Sequence, residues 1–241
     1  MGHQYHSNAF KDVELIICDV DDTLVRATGK DFYKQYGLAV ERAIAEYFHI
    51  SIPKAEKVAN QFRQHGVGAE QALFTGDISI YLPRQKPLIP NFTILHQHMT
   101  QLDPKGYFSD QHHVSDLIRA LAKKHIKTVA LTSSPTSLSG RILLASNYKI
   151  DDFAMLIGYE SDAHPPKATR DGRIFEIITK KMKIPLNKTL VIGDKPSVDI
   201  EPAVQRGALG CLIGAHGRSQ KEYFYADTVE ELFADILKEK E

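Results

Sequence analysis

The sequence predicts an α/β protein with a doubly wound parallel sheet and a smaller, mostly helical second domain. Three observations lead to this class. Short apolar segments recur along the chain, amphipathic helical patterns alternate with them in its second half, and one long stretch near the amino end has no such segments. Alternating buried strands and helices are typical of βαβ units, whose strands lie parallel in a sheet covered on both faces.

The strands are predicted from apolar segments that are too short for helices and do not alternate strictly with polar residues. This pattern is typical of strands that are buried on both faces of a parallel sheet. The segments occupy residues 13–18, 126–131, 154–158, 188–192 and 208–213.

Amphipathic helices are predicted between and after these strands. Apolar residues fall on one face at residues 114–125 and again at 174–182. The last helix is predicted over 228–239, where Thr228 and Glu231 have the spacing of a capping box. These helices would cover the faces of the sheet.

One region interrupts this alternation of strands and helices. Residues 29–108 contain no buried-strand segment, and two amphipathic helices are predicted there, at 31–48 and 53–66. We therefore expect a catalytic or binding core formed by 11–28 and 109–241, with 29–108 inserted after the first strand as a helical domain.

The composition limits the class of protein. The 241 residues are 43% hydrophobic, which suffices for a sizeable core, and the formal net charge is +0 with interspersed charges. We therefore expect no nucleic-acid or membrane partner. Cys18 and Cys211 lie in apolar segments, and no signal-peptide pattern or membrane-length apolar run is found, so we expect reduced thiols and a cytoplasmic protein. The oligomeric state stays open.

Polar side chains follow four of the predicted strands. Ligands of open α/β sheets bind beyond the carboxyl ends of the strands, so these side chains are expected to share one site. They are Asp19 and Asp21 after the first strand, Thr132 and Ser133 after the second, Lys167 in the loop after the third, and Asp194 and Asp199 after the fourth.

Several carboxylates in one pocket repel one another unless a cation neutralises them. Oxygen ligands without a nearby cysteine favour a hard ion, Mg²⁺ before Zn²⁺. Carboxylates, Mg²⁺ and a lysine suit phosphoryl transfer, in which an aspartate can attack phosphorus and a second acid can move the proton of the leaving group.

The order of these residues resembles a known family. The segment DVDDTL, which begins at Asp19, is similar to the DxDxT first motif of the haloacid dehalogenase-like (HAD) superfamily. Thr132, Lys167 and the segment VIGDKPSVDI with Asp194 and Asp199 follow in the order of the family's other three motifs. The resemblance implies a Rossmann-like core, and residues 29–108 occupy the place of a type 1 cap domain.

The resemblance also implies a role for each matching residue. Asp19 would be the nucleophile, and Asp21 the general acid and base. Lys167 would steady the nucleophile and the transferring phosphoryl group, while Thr132 and Ser133 would bind that group. Asp21 favours phosphoryl transfer in particular, because the dehalogenases of the superfamily lack this second aspartate.

A Mg²⁺ site is implied by the same motifs. Asp19, the backbone carbonyl of Asp21, and Asp194 would be ligands, with Asp199 in support. The expected activity is Mg²⁺-dependent hydrolysis of a small phosphorylated metabolite through an aspartyl-phosphate. The alternatives are a phosphomutase on the same scaffold and a non-enzymatic phospho-acceptor or regulatory module, although the inserted domain argues against the latter.

The chain departs from the family pattern at three points. Ser133 stands where the family often has asparagine, prolines precede Lys167 instead of following it, and Lys195 stands where the fourth motif often has serine. Lys195 is the lysine that competes with Lys167 for a functional role. Asp22 is expected only to turn the chain. Candidate substrate contacts in the insertion are Tyr33, Tyr36, Arg63, Tyr81 and Arg84.

Overall fold

The computed structural model describes residues 9–65, 69, 72–73, 76–83, 86, 88, 93–158, 167, 171–214 and 223–240. These residues group into two compact units. Ala27–Tyr107 belong to the smaller, helical unit, and the remaining described residues form the larger unit, which contains the sheet. The predicted end of the second helix, at residue 66, lies outside the described residues.

The larger unit contains a parallel sheet that has six strands among the described residues, in the order β3-β2-β1-β4-β5-β6. The strands are β1 (Leu15–Asp19), β2 (Lys127–Leu131), β3 (Met155–Ile157), β4 (Thr189–Gly193), β5 (Leu209–Ile213) and β6 (Phe224–Ala226).

The α-helices alternate with the strands after the smaller unit. Those with both ends among the described residues are α1 (Asp31–Tyr47), α2 (Ile52–Gln64), α3 (Thr93–Met99), α4 (His112–Lys123), α5 (Thr136–Ala145), α6 (Arg173–Met182), α7 (Glu201–Val204) and α8 (Val229–Glu239). Over the described part of the chain, none of the helices is long and apolar enough to cross a membrane.

Strand β1 lies in the middle of the sheet, and this position determines where the site forms. Leu15 is in register with Lys127 of β2 on one side and with Thr189 of β4 on the other. Every residue of β1 is buried. Because all three strands are parallel, their carboxyl ends meet at one edge, with Asp19 opposite Leu131.

The core of the larger unit lies between the sheet and its helices. Helix α6 packs Ile174, Phe175 and Ile178 against β1, β2 and β4, where Ile17 and Val129 belong to the same buried cluster. Such packing explains why the strands read as continuous apolar segments. This cluster thus covers one face of β1, β2 and β4, the three strands whose ends meet at the edge that carries the polar residues.

The predicted fold class is confirmed, and most predicted elements lie within two residues of the observed ones. Thr228 caps α8 as expected, because its hydroxyl accepts a hydrogen bond from the backbone N–H of Glu231 at 3.2 Å. The sequence reasoning missed β6, α3, α5 and α7. Strand β6 has only 3 residues, and α5 contains serines and a glycine that weaken its helical pattern.

Cys18 and Cys211 are free, buried thiols, as the sequence predicted. They lie in β1 and β5, and burial raises the pKa of both. For Cys18 the charge of Asp19 adds to this effect. Both cysteines therefore act as small core residues.

The smaller unit is helical. Helix α1 packs against α2 and α3 through a buried face that includes Val40 and Ile44. The two ends of the unit are joined by a hydrogen bond, in which the backbone N–H of Thr28 donates to the carbonyl of Tyr107 at 2.8 Å. That this unit acts as a cap stays a prediction.

Candidate active site

Asp19, the last residue of β1, has both carboxylate oxygens held by neighbours. The Thr23 hydroxyl donates to Oδ2 at 3.0 Å, and the Lys167 ammonium donates to Oδ1. The intervening turn reverses sharply: Val25 N–H donates to the Val20 carbonyl at 3.0 Å, and Asp22 has a φ of 63°. Asp22 is exposed, which agrees with the expectation that it turns the chain.

Lys167 is a buried ammonium between two carboxylates. Its Nζ contacts Asp19 and lies 2.6 Å from Oδ1 of Asp199. Burial alone would lower the pKa of Lys167, but the charges of Asp19 and Asp199 outweigh burial and raise it. The lysine is therefore charged at neutral pH. The structure thus brings the two residues predicted from the first and third motifs into direct contact.

Asp21 faces the end of β2. Its Oδ2 accepts hydrogen bonds from the hydroxyls of Thr132, at 3.1 Å, and Ser134, at 3.4 Å. Burial and the charge of Asp19 raise the pKa of Asp21 to about 6, against the hydrogen bond from Thr132 and the charge of Lys195. A carboxyl group with this pKa can both give and take a proton near neutral pH.

The loop after β2 is shaped by close contacts. Thr132 Oγ1 also accepts from the backbone N–H of Ser134 at 3.0 Å. A side chain at Gly158, the residue after β3, would overlap the backbone of Ser134 and Thr136. Ser133 is half-buried beside Thr132. Ser134 is the residue that sequence reasoning left out of the site, although the run of three hydroxyl residues at a strand end was a signal for it.

The end of β4 supplies two more carboxylates, Asp194 and Asp199. Asp199 lies in a π-helical turn, Pro196–Ile200, and its Oδ2 accepts from the backbone N–H of Lys195 at 2.8 Å. A Cβ at Gly193 would overlap the side chain of Asp199, so only glycine lets that carboxylate approach the strand. Burial raises the pKa of Asp194.

Three of these carboxylates could hold a metal ion. Asp19, Asp194 and Asp199 each offer one oxygen, and these oxygens lie within 4.8 Å of one another. A cluster of carboxylate oxygens fits a hard divalent cation such as Mg²⁺. The side chain of Asp21 lies outside this cluster and is directed toward Thr132, so its expected contribution to the metal would be the backbone carbonyl.

Lys195 lies beside the same cluster. Its Nζ donates to Asp194 Oδ1 at 3.1 Å, and its side chain is 56% exposed. In the described part of the chain, two lysines thus lie at this site, one buried and one at the surface.

The smaller unit contains a cavity of about 470 Å³. The two terminal guanidinium nitrogens of Arg63, Nη1 and Nη2, each lie 3.1 Å from Oε1 of the buried Glu41, and Gly37 leaves room for the guanidinium. Tyr33 and Tyr36 also line the cavity. Of the candidate substrate contacts predicted in the insertion, these two tyrosines and Arg63 thus line one pocket. Tyr81 packs on Phe62, and Arg84 lies outside the described residues.

Comparison with known proteins identifies the family of the chain and agrees with its fold. The sequence model of the haloacid dehalogenase-like hydrolases matches residues 13–207. No curated protein sequence matches the chain. The chain therefore belongs to the haloacid dehalogenase-like hydrolase family, as the motif order predicted, and it is an enzyme of the hydrolase class.

Solved structures share the fold at low sequence identity. YfnB from Bacillus subtilis, determined with bound magnesium, is 18% identical with a TM-score of 0.57, covering 93% of this chain and 98% of its own. A HAD phosphatase from Thermococcus onnurineus is 17% identical, with a TM-score of 0.54 and coverages of 91% and 96%. A Thermotoga maritima protein assigned as a β-phosphoglucomutase is 18% identical, with a TM-score of 0.55 and coverages of 94% and 99%.

Proposed function

We propose that the protein is a Mg²⁺-dependent phosphomonoesterase that acts through an aspartyl-phosphate on a small phosphorylated metabolite. One observation carries the proposal. The buried carboxylate of Asp19, held by Lys167 and Thr23, lies next to a second carboxyl group, Asp21, whose pKa is raised to about 6. A nucleophile beside an acid–base group is the pair that two-step ester hydrolysis needs.

In the first step, an oxygen of Asp19 attacks the phosphorus atom of the ester. The bond between phosphorus and the ester oxygen breaks as the new bond forms, and the leaving oxygen takes the proton of Asp21. Lys167 offsets the negative charge that gathers around Asp19 and the phosphoryl oxygens.

In the second step, water attacks the phosphorus atom of the aspartyl-phosphate. Asp21, now a carboxylate, takes a proton from the water, and the bond between phosphorus and Asp19 breaks. Inorganic phosphate leaves, and both aspartates return to their starting states. A pKa near neutrality allows the same group to act as acid and then as base.

The remaining site residues position the phosphoryl group. Thr132 and Ser133 would bind its oxygens from the end of β2, and Ser134 would help to orient Asp21. Asp19, Asp194 and the backbone carbonyl of Asp21 would hold Mg²⁺, with Asp199 in support. Bound Mg²⁺ supplies positive charge that neutralises the phosphoryl oxygens.

We assign the helical unit the role of the cap domain that the motif resemblance implies. It is inserted after β1, and it has a cavity of its own, lined in part by Tyr33, Tyr36 and Arg63. A cap would exclude water during the first step and select the organic part of the substrate.

A phosphomutase is the second candidate, because the similar fold from Thermotoga maritima is assigned as a β-phosphoglucomutase. The first step would be the same, but the phosphoryl group would return to the substrate instead of to water. Incubation with a phosphosugar, followed by analysis of the products, separates the two activities: a hydrolase releases inorganic phosphate and a mutase releases an isomeric sugar phosphate.

The decisive experiment measures hydrolysis of an aryl phosphate, with and without Mg²⁺, by the wild type and Asp19→Asn. We expect Mg²⁺-dependent turnover that Asp19→Asn abolishes. Asp22→Asn is the matched control, since it makes the same change three residues away on an exposed carboxylate and should keep activity within a few-fold. Full activity of Asp19→Asn, or no Mg²⁺-dependent turnover on this and a broad panel of metabolites, contradicts the proposal.

A further inference from the structure

Lys195 is a charged residue at the site that the proposed reaction does not use. It follows Asp194 directly, at the position where the resemblance gives serine in many members of the family. Serine is neutral, so this chain has one more positive charge beside its carboxylate cluster. The surroundings of Lys195 indicate what that charge does.

Lys195 donates hydrogen bonds to two of the three clustered carboxylates. Its backbone N–H donates to Asp199 at 2.8 Å, and its ammonium donates to Asp194 at 3.1 Å. Asp194 and Asp199 each have an oxygen within 4.8 Å of an oxygen of Asp19. The ammonium therefore binds the same carboxylate, Asp194, that a divalent cation at this cluster would use.

The two lysines of the site differ in how easily they can leave their partners. The side chain of Lys167 is 2% exposed, and moving it would strand the buried charges of Asp19 and Asp199. The side chain of Lys195 is 56% exposed, so its ammonium can exchange Asp194 for water at little cost. Lys167 is thus a permanent part of the site, while Lys195 is replaceable.

We propose that Lys195 competes with the divalent cation for Asp194 and thereby weakens cation binding at the cluster. In the metal-free protein its ammonium neutralises Asp194; when the cation binds, the ammonium moves into solvent. The proposal rests on the proposed function in one respect, because both place a divalent cation at Asp19, Asp194 and Asp199.

The size of the effect follows from Coulomb's law. Repulsion between a monovalent and a divalent charge across a partly solvated site changes a binding constant by about 5- to 30-fold. Because Lys195 is exposed, dissolved salt screens its charge, and the effect is expected to shrink as ionic strength rises. A residue that only shaped the loop would show no such salt dependence.

The test is calorimetric titration of Mg²⁺ into the metal-free full-length chain at low and at high ionic strength. We expect Lys195→Gln to bind Mg²⁺ about 5- to 30-fold more tightly than the wild type at low salt, with a smaller difference at high salt. Lys195→Arg keeps the charge and should bind as the wild type does. Lys195→Ser gives the same comparison should Lys195→Gln fold poorly.

Lys188→Gln is the matched control. Lys188 precedes β4 directly, whereas Lys195 lies after the end of that strand. The Nζ of Lys188 lies 2.6 Å from Oε1 of Glu14. The substitution removes the same unit charge at the opposite end of the same strand. We expect its affinity for Mg²⁺ to stay within about twofold of the wild type, because β4 places this charge about 17 Å or more from the cluster, where the Coulomb interaction through water is several-fold weaker.

Three results overturn the proposal. They are unchanged or weaker Mg²⁺ binding by Lys195→Gln and Lys195→Ser, equal tightening by Lys188→Gln, and tighter binding that does not depend on salt. If the wild type binds Mg²⁺ and hydrolyses the aryl phosphate while the variants match it, only the role of Lys195 fails. If no protein of the set binds Mg²⁺, the cation of the proposed function fails as well.

Discussion

The Nζ atom of Lys167 lies 2.6 Å from Oδ1 of Asp199, and both side chains are only 2% exposed. The same ammonium contacts Asp19, so one buried cation links the end of β1 to the turn after β4. The ammonium thereby holds together two carboxylates that would otherwise repel each other. This bridge connects the stability of the metal-free fold to the residues proposed for catalysis.

Replacing Lys167 is expected to destabilise the metal-free protein strongly. Lys167→Met leaves Asp19 and Asp199 buried without their cation, and breaking a buried pair costs about 3 kcal/mol of the free energy of unfolding. Urea unfolding in the presence of a chelator measures this loss, and Mg²⁺ should restore part of it.

Lys188→Met provides the control for that experiment, since its pair with Glu14 is exposed and little change in stability is expected. Equal losses in the two variants would show that Lys167 contributes no more than a surface lysine.

Gly193 is expected to tolerate no side chain. A Cβ there would overlap Asp199, so Gly193→Ala should lower the free energy of unfolding by about 2 kcal/mol and also lower the turnover of an aryl phosphate. Gly140→Ala makes the same change within α5, where the added Cβ meets Leu156 at an ordinary 3.5 Å.

That control should be about 0.5–1 kcal/mol more stable than the wild type, because alanine favours the helix. The pair of alanine variants thus predicts effects of opposite sign. Thermal and urea unfolding of both proteins check the prediction, and a Gly193→Ala protein with full stability and turnover would contradict it.

The stability of the metal-free protein should depend on Asp21 below neutral pH. The pKa of Asp21 is raised from 3.8 to about 6 in the folded protein, so the folded state holds a proton that the unfolded chain has lost. This raised value favours the fold at low pH, and the advantage is lost as pH rises through about 6.

The difference in unfolding free energy between the wild type and Asp21→Asn should therefore fall by about 1 kcal/mol from pH 5 to pH 7. Asp22→Asn, which removes an exposed neighbouring carboxylate, should show a much weaker trend. Urea unfolding with a chelator at a series of pH values measures both differences, and a flat profile for Asp21→Asn argues against the raised pKa.

Thr23 is expected to position the nucleophile. Its hydroxyl donates to Asp19 Oδ2 at 3.0 Å, and Thr23→Val removes this hydrogen bond while keeping the shape of the side chain. We expect kcat for an aryl phosphate to fall about tenfold with little change in KM, because a hydrogen bond to a charged group is lost at the reacting carboxylate.

Thr179→Val is the matched control for Thr23→Val. Both threonines are 6% exposed, but the Thr179 hydroxyl donates to the carbonyl of Glu176 within α6, away from the site. Steady-state kinetics of the two valine variants test this prediction. Equal kcat values would show that the Thr23 hydroxyl does not position Asp19.

Sequence reasoning found the sheet because the buried strands are continuous apolar segments, and it predicted one shared site because polar residues follow four of them. It could not find the contacts between those residues. Nothing local in the sequence shows that Lys167 contacts both Asp19 and Asp199, or that Asp21 is directed toward Thr132 and Ser134.

Some features of the site depend on backbone geometry that apolar patterns do not report. The π-helical turn at Pro196–Ile200 directs Asp199 toward the strand end, and Gly193 leaves the space for it. Strand β6 is too short for its pattern to stand out from loop sequence. These elements are fixed by packing in three dimensions, which a periodicity of two or 3.6 residues cannot encode.

The central position of β1 has a consequence for how the protein is made. On the ribosome, β1 is synthesised before both of the strands that flank it, and β4 follows only after the helical unit, β2, β3 and α6. A nascent or truncated chain that stops before β4 leaves one edge of β1 unpaired, a strand that is apolar except for its last residue, Asp19. Such fragments are expected to aggregate instead of acting as weak enzymes.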